Sequence, residues 1–115
     1  VKGQFFAKKT ACQSGHTHAS KAEAMRCNDL RLRERAGEIT ALRTEPRFYF
    51  NVNGVDVKMR NGHVLRYTGD FTYIEGNRQI VEEVKARNGF MTRDVPIKLA
   101  LMAVLFPDVE VRVVT

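Results

Sequence analysis

What this sequence has little of narrows the field first. Two cysteines, Cys12 and Cys27, in 115 residues are too few for a disulfide framework, which argues against a small secreted scaffold stapled by bridges. No apolar run approaches the length of about 20 residues that a membrane-crossing helix needs. The N-terminus is polar and basic and lacks a signal-peptide pattern. No internal repeat and no low-complexity segment is present. A reduced, cytoplasmic setting without membrane partners is the resulting expectation. Acidic residues are also in deficit: 13 Asp and Glu stand against 19 Lys and Arg, giving a net charge of +6 and a pI near 9.7. A basic domain of this size attracts polyanions, nucleic acid first.

What is present describes one folded unit. Hydrophobic residues make up 43% and charged residues 28% of the chain, enough for a single modest core. Residues 1–19, with Lys2, Lys8, Lys9, His16 and His18, read as an irregular basic N-terminal arm, and residues 20–115 as a single domain. Ser20 followed by Glu23 is a capping-box pattern that predicts a helix over 20–36. Ala22, Met25, Leu32 and Ala36 fall roughly on one face, with Glu23, Cys27 and Leu30 as a neighbouring stripe. Gly37 follows as the stop signal.

Beyond Ile39 the period shortens to that of strands. Asn53-Gly54 predicts a tight hairpin between residues 48–52 and 55–59. Residues 64–74 and 79–86 read as two strands joined at Gly76-Asn77. The spacing of Ile97, Ala100, Leu101, Val104 and Leu105 predicts a second helix over 94–106, with those five as its apolar stripe. Val109 to Val114 reads as a last strand. A helix joining the second hairpin strand to the last one permits a parallel crossover. The expected fold class is α/β, with a mixed central β-sheet flanked by helices.

The 70–85 segment carries the chemistry. With a two-residue loop at Gly76-Asn77, Glu75 faces Arg78 and the register places Asp70 opposite Glu83. Like charges facing across a ladder are destabilising, and a cation between them is the usual remedy. Period-two alternation puts Lys85 on the face of Glu83. Two carboxylates able to hold Mg²⁺ or Mn²⁺, with an ammonium beside them, are equipment for metal-assisted phosphodiester hydrolysis. The plain alternative is a solvated strand face, and a bulge would break the Asp70–Glu83 pairing.

Tyr67-Thr-Gly-Asp70-Phe-Thr-Tyr, followed by Ile80-Val-Glu-Glu-Val-Lys85, resembles the acidic and Glu-x-Lys motifs of the PD-(D/E)XK nuclease superfamily. Asp70 matches the first acid, Glu83 the second and Lys85 the lysine, although Gly69 stands where that superfamily often has proline. Upstream, Ala19-Ser-Lys-Ala-Glu23-Ala-Met-Arg26 and Arg35-Ala-Gly-Glu-Ile39 resemble a small phage- and prophage-encoded branch of it, largely known as predicted endonucleases. The similarity spans roughly residues 15–114. It implies a restriction-endonuclease-like core and a deoxyribonuclease, expected to be an endonuclease, that uses Mg²⁺ or Mn²⁺. Asp70, Glu83 and Glu23 would hold the metal, and Lys85 would assist the nucleophile. The setting implied is the cytoplasm of a bacterial host. Glu23 keeps a second reading as a capping-box residue.

Arg26, Arg87, Arg93 and Lys98 are candidates for phosphate contacts, with a solvated helix lysine as the alternative for Lys98. Cys12, His16, His18 and Cys27 match no standard zinc spacing. The expected partner is DNA, including branched or structured forms. A chain this small would draw specificity from DNA structure, from a homodimer or from a phage protein partner. Two rival functions remain open at this level: a catalytically silent nucleic-acid-binding module, and an assembly component of a phage or mobile element.

Overall fold

The structure, a computed structural model, describes residues 10–11, 17–18, 20–85 and 91–115. Two short strands, β1 (Thr10–Ala11) and β2 (Thr17–His18), pair antiparallel ahead of α1 (Lys21–Arg35). Then come β3 (Thr40–Thr44), β4 (Arg47–Tyr49), β5 (Asn51–Val52), β6 (Val55–Asp56), β7 (Arg66–Thr68), β8 (Phe71–Glu75), β9 (Arg78–Val84), α2 (Asp94–Leu105) and β10 (Val109–Val114). The fold is mixed α/β. A four-stranded sheet in the order β10-β9-β8-β3 forms its centre. Its first pair is parallel and the other two are antiparallel.

The local signals account for several elements. Ser20 is extended at the N-cap of α1 and its Oγ accepts the Glu23 N–H at 3.2 Å. That bond satisfies one of the amides a helix start leaves orphaned. The β8–β9 hairpin closes at Gly76-Asn77 with Glu75 opposite Arg78. Of those two turn residues only Gly76 has positive φ, 65°, as the first position of a type II′ turn demands. The chain leaving β9 returns through α2 to lay β10 parallel beside it, the expected crossover.

Alternation along β9 divides the molecule into two layers. Ile80 belongs to a core with Ala24, Cys27 and Leu30 of α1 and Ile39, Leu42, Phe71 and Tyr73. Val81 belongs to a second core with Phe50, Tyr67 and Met102, joined by Phe48, Leu99, Leu105 and Phe106. The sheet therefore lies between α1 on one face and α2 on the other.

Three expectations need correction. On α1 the buried residues are Ala24, Cys27 and Leu30, so Cys27 and Leu30 of the Glu23 stripe do lie inward, whereas Met25 and Leu32 of the other expected face are exposed. This rotation also carries Arg26 onto a buried carboxylate described below. On α2 the fully buried residue is Met102, while Ile97, Ala100 and Val104 face outward. Leu101 and Leu105 do pack inward. A helix apolar nearly all round carries little information about which way it turns. Finally, residues 64–74 are not one strand. The chain breaks at Gly69 and Asp70, so β7 pairs with β4 and β8 pairs with β3 and β9. A Cβ on Gly69 would stand 2.6 Å from Val81 Cγ1 and 3.4 Å from Pro46 Cγ, so only glycine fits the crossing. No helix among the described residues is long and apolar enough to cross a membrane.

Candidate functional site

Adjacent residues on a strand point to opposite faces, and Glu82 and Glu83 meet different fates. Glu82 turns towards α1 and is completely buried. The Arg26 Nε and Nη2 donate to its two carboxylate oxygens, both at 2.7 Å, and the Tyr73 hydroxyl donates to Oε2. This bidentate fork is the geometry that suits guanidinium and carboxylate. The hydrogen bond to Glu82 raises the Arg26 pKa above its ordinary value, against the opposing effect of burial. Arg26, expected to contact nucleic acid, instead has its guanidinium committed to Glu82.

Glu83 turns towards α2. The Tyr67 hydroxyl donates to its Oε1 at 2.6 Å. Burial pushes the Glu83 carboxyl up, the Tyr67 hydrogen bond opposes that, and the charge of Asp94 adds to it. Burial, then the bond and charge of Glu83, push the Tyr67 phenol up as well, so Tyr67 remains a donor. Glu83 and Tyr67 border a cavity of about 260 Å³ with Arg66, Asp94 and Lys98.

Asp70 was expected directly opposite Glu83. The ladder keeps its register only as far as Phe71 opposite Glu82. Asp70 then leaves it: its N–H donates to the Glu82 carbonyl at 2.9 Å, and its Oδ2 accepts the Val84 N–H at 2.6 Å. The carboxylate thus takes the place of a ladder partner at the end of β9. Its pKa is pushed up to about 8, first by burial and then by the charge of Glu23. The Val84 N–H works the other way, and the Glu83 charge and a hydrogen bond with Glu23 add to the rise. Glu23 uses different groups at Ser20 and at Asp70. Its backbone N–H is capped by Ser20, and its carboxyl meets Asp70.

Lys85 lies one residue beyond β9, where alternation no longer governs. Its N–H donates to the Val114 carbonyl at 2.6 Å. It borders a larger cavity of about 680 Å³ that, among the described residues, also involves Met25, Arg26, Asp29 and Val114. Glu83 and Lys85 are thus brought to different cavities, whereas simple alternation predicts one face. Lys98 pairs with Asp94 at 3.1 Å and lines the cavity of Glu83. Arg93 is exposed at the start of α2, and Arg87 lies outside the described residues. Of the possible zinc ligands, Cys12 and His16 also lie outside them, the His18 backbone belongs to β2, and Cys27 is buried in the α1 core. Among the described residues, no group of three or more His, Cys, Asp or Glu side chains is close enough to hold a metal ion.

Sequence reasoning passed over Tyr67 and Asp94. Nothing in the spacing singles out Tyr67, because it meets Glu83 across sixteen residues and only once β7 and β9 are assembled. Asp94 was visible only as the start of a helix.

A family model described as "Protein of unknown function (DUF1064)" matches residues 2–115. The chain belongs to that family. Within this DUF1064 chain the match takes in α1, the sheet and α2 alike, so Glu23, Asp70, Glu83 and Lys85 all fall inside the family's span. No curated protein and no solved structure matches the chain.

Proposed function

We propose that this protein is a divalent-metal-dependent deoxyribonuclease with a restriction-endonuclease-like core, hydrolysing DNA phosphodiester bonds. The observation that carries the reading is the Glu23–Asp70 carboxyl pair. Asp70 holds its proton up to about pH 8 because burial and Glu23 disfavour its charged form. Two acids pressed together so that one stays protonated near neutrality are relieved by a divalent cation. The motif resemblance, from the Ser20 helix start through Asp70 to Glu83-Val84-Lys85, supports the same chemistry.

The donor set fits a hard cation in chemistry: carboxylate oxygens suit Mg²⁺ or Mn²⁺. Asp70, Glu23 and Glu83 would hold it; no three such side chains among the described residues stand close enough together as they are, so Glu83 would have to move towards the Glu23–Asp70 pair. When bound, such an ion polarises the phosphate and acidifies a water. The remaining work falls to the chain. The Val84 N–H fixes Asp70, and Tyr67 fixes Glu83. Lys85, at the strand end, stabilises developing negative charge or orients the attacking water. Lys98 and Arg66, on the cavity of Glu83, offer cations to a phosphate. The net charge of +6 draws DNA to the surface.

The test is conversion of supercoiled, linear and branched DNA with Mg²⁺ or Mn²⁺ by wild type, Asp70→Asn and Lys85→Ala. Metal-dependent cleavage by wild type, lost in both variants, supports the reading. Identical behaviour of all three proteins overturns it. DNA binding without cleavage would leave the silent binding module in its place.

A further inference from the structure

Between β4 and β7 the chain makes an excursion that the central sheet does not need. The strands Arg47–Tyr49 and Arg66–Thr68 pair as a stem. Beyond the stem the chain forks into two turns. One is closed by Asn53-Gly54, whose φ values of 52° and 81° are those of a type I′ turn. The other spans residues 60–62, closed by the Met59 and His63 backbones. The buried Phe50 sits at the fork and accepts the Val57 N–H while donating to Leu65. Its ring lies 6.3 Å from that of Phe106, which roots the excursion on α2.

Two features occur together on this excursion. The first is uncompensated charge. Most arginines of α1 and the central sheet are paired: Arg26 with Glu82, Arg31 with Glu34, Arg33 with Glu75, Arg78 with Glu110 and Arg112 with both Glu75 and Glu110, while Arg35 and Arg43 are exposed without an ion pair among the described residues. Arg47, Lys58, Arg60 and Arg66 are exposed, and no ion pair engages them among the described residues. The single acid between Arg47 and Arg66 is Asp56, which accepts a hydrogen bond from Asn51. The second feature is exposed apolar surface beside that charge. Val55 is 67% and Met59 is 52% exposed, and Met59 stands between Lys58 and Arg60 in the chain.

Free cations beside protruding aliphatic side chains fit a ligand with a polyanionic backbone and exposed flat apolar faces. That is nucleic acid with unstacked or unpaired bases, since architectural proteins insert such apolar wedges between base steps. A fully stacked duplex offers its phosphates but not its base faces. The position of the stem points the same way. Arg66 and Tyr67, consecutive residues of β7, border the cavity of Glu83, so a strand held at the tips would lead back to Glu83.

We infer that the excursion from Arg47 to Arg66 is a DNA-engaging element. Its cations hold the backbone, and Val55 and Met59 abut exposed bases at a fork or branch. The substrate class is thus DNA containing a junction between paired and unpaired segments. The inference rests on the nuclease reading for its relevance to cleavage, but the binding it asserts needs no metal.

The test is fluorescence anisotropy of the full chain in EDTA with plain duplex, single-stranded and forked DNA, over a range of salt. The variants are Lys58→Gln/Arg60→Gln and Val55→Ser/Met59→Ser, with circular dichroism and size-exclusion chromatography on each. Wild type should prefer forked DNA. Removing the two cations should weaken binding to every DNA and lower the log–log salt slope by about two. Removing the two apolar side chains should abolish the forked preference and leave duplex binding intact. Equal wild-type affinity for forked and plain duplex DNA overturns the inference, as does unchanged binding by both variants. An effect of the cation variant alone overturns the role of Val55 and Met59. Loss of self-association in the Val55→Ser/Met59→Ser protein, with DNA binding unchanged, overturns it in favour of contact between copies. Forked-DNA preference without any cleavage in Mn²⁺ would sink the nuclease reading and leave this one standing. Cleavage of forked DNA undiminished in both variants would do the reverse.

Discussion

The Tyr67 hydroxyl donates a 2.6 Å hydrogen bond to Glu83 Oε1 from a ring buried in the α2-side core. One side chain thereby ties β7, and the excursion it closes, to Glu83 on β9. Tyr67→Phe keeps the ring and removes only the donor. If Glu83 is a metal ligand oriented by Tyr67, calorimetric titration should find Mn²⁺ affinity reduced by about 10–100-fold. Unchanged affinity would reduce Tyr67 to a packing residue.

The Arg26–Glu82 fork is a part-buried ion pair that joins α1 to β9. Arg26→Met leaves a carboxylate uncompensated at a fully buried position. Removing one partner of such a pair costs about 3–5 kcal/mol. Urea denaturation should show that loss, and Glu82→Gln added to Arg26→Met should recover part of it. An Arg26→Met protein of wild-type stability but weaker DNA binding would return Arg26 to the nucleic-acid surface.

Asp70 gives a pH dependence with a definite sign. Its folded pKa is raised to about 8, from an unfolded value near 3.9. Between those values the folded state holds a proton that the unfolded chain has released. This contribution to stability is complete below about pH 4 and is lost as pH rises through about 8. In EDTA, thermal unfolding of wild type should fall over that window relative to Asp70→Asn, which cannot titrate. Parallel curves for the two proteins would contradict the raised pKa.

Gly69 is required by space. Gly69→Ala places a methyl 2.6 Å from Val81 Cγ1, and overpacking of this kind costs about 1–3 kcal/mol. The shift should also move Asp70, its neighbour, away from the Val84 N–H. Expected together are a lower unfolding temperature and weaker Mn²⁺ binding. A Gly69→Ala protein indistinguishable from wild type would mean that the crossing is looser than its geometry.

Much of the fold was legible because its signals are local. Ser20 and Glu23 mark the start of α1, Asn53-Gly54 and Gly76-Asn77 mark turns by their backbone freedom, and the crossover follows from element order. The misses are non-local. The break at Gly69–Asp70 lies where the chain passes close to Val81 and Pro46, which are not its neighbours in sequence. The rotation of α1 carries Arg26 to Glu82, and that of α2 was hidden by a surface apolar nearly all round. At the site, register arithmetic brought Asp70 to the right end of the hairpin but not to its true partner, the Val84 N–H. The contact of Glu23 with Asp70 was suggested by resemblance alone. Lys85 escaped because alternation stops where β9 ends.

The central claim is that Asp70, with Glu23 and Glu83, holds the metal that hydrolysis requires. Anomalous diffraction from a crystal soaked in Mn²⁺ tests it most directly. The account predicts a peak within coordination distance of Asp70 and at least one of Glu23 and Glu83, with the Glu23–Asp70 carboxyl contact opened by the ion. A map with no peak at Asp70, in which Glu23 and Asp70 still share their hydrogen bond, would contradict it.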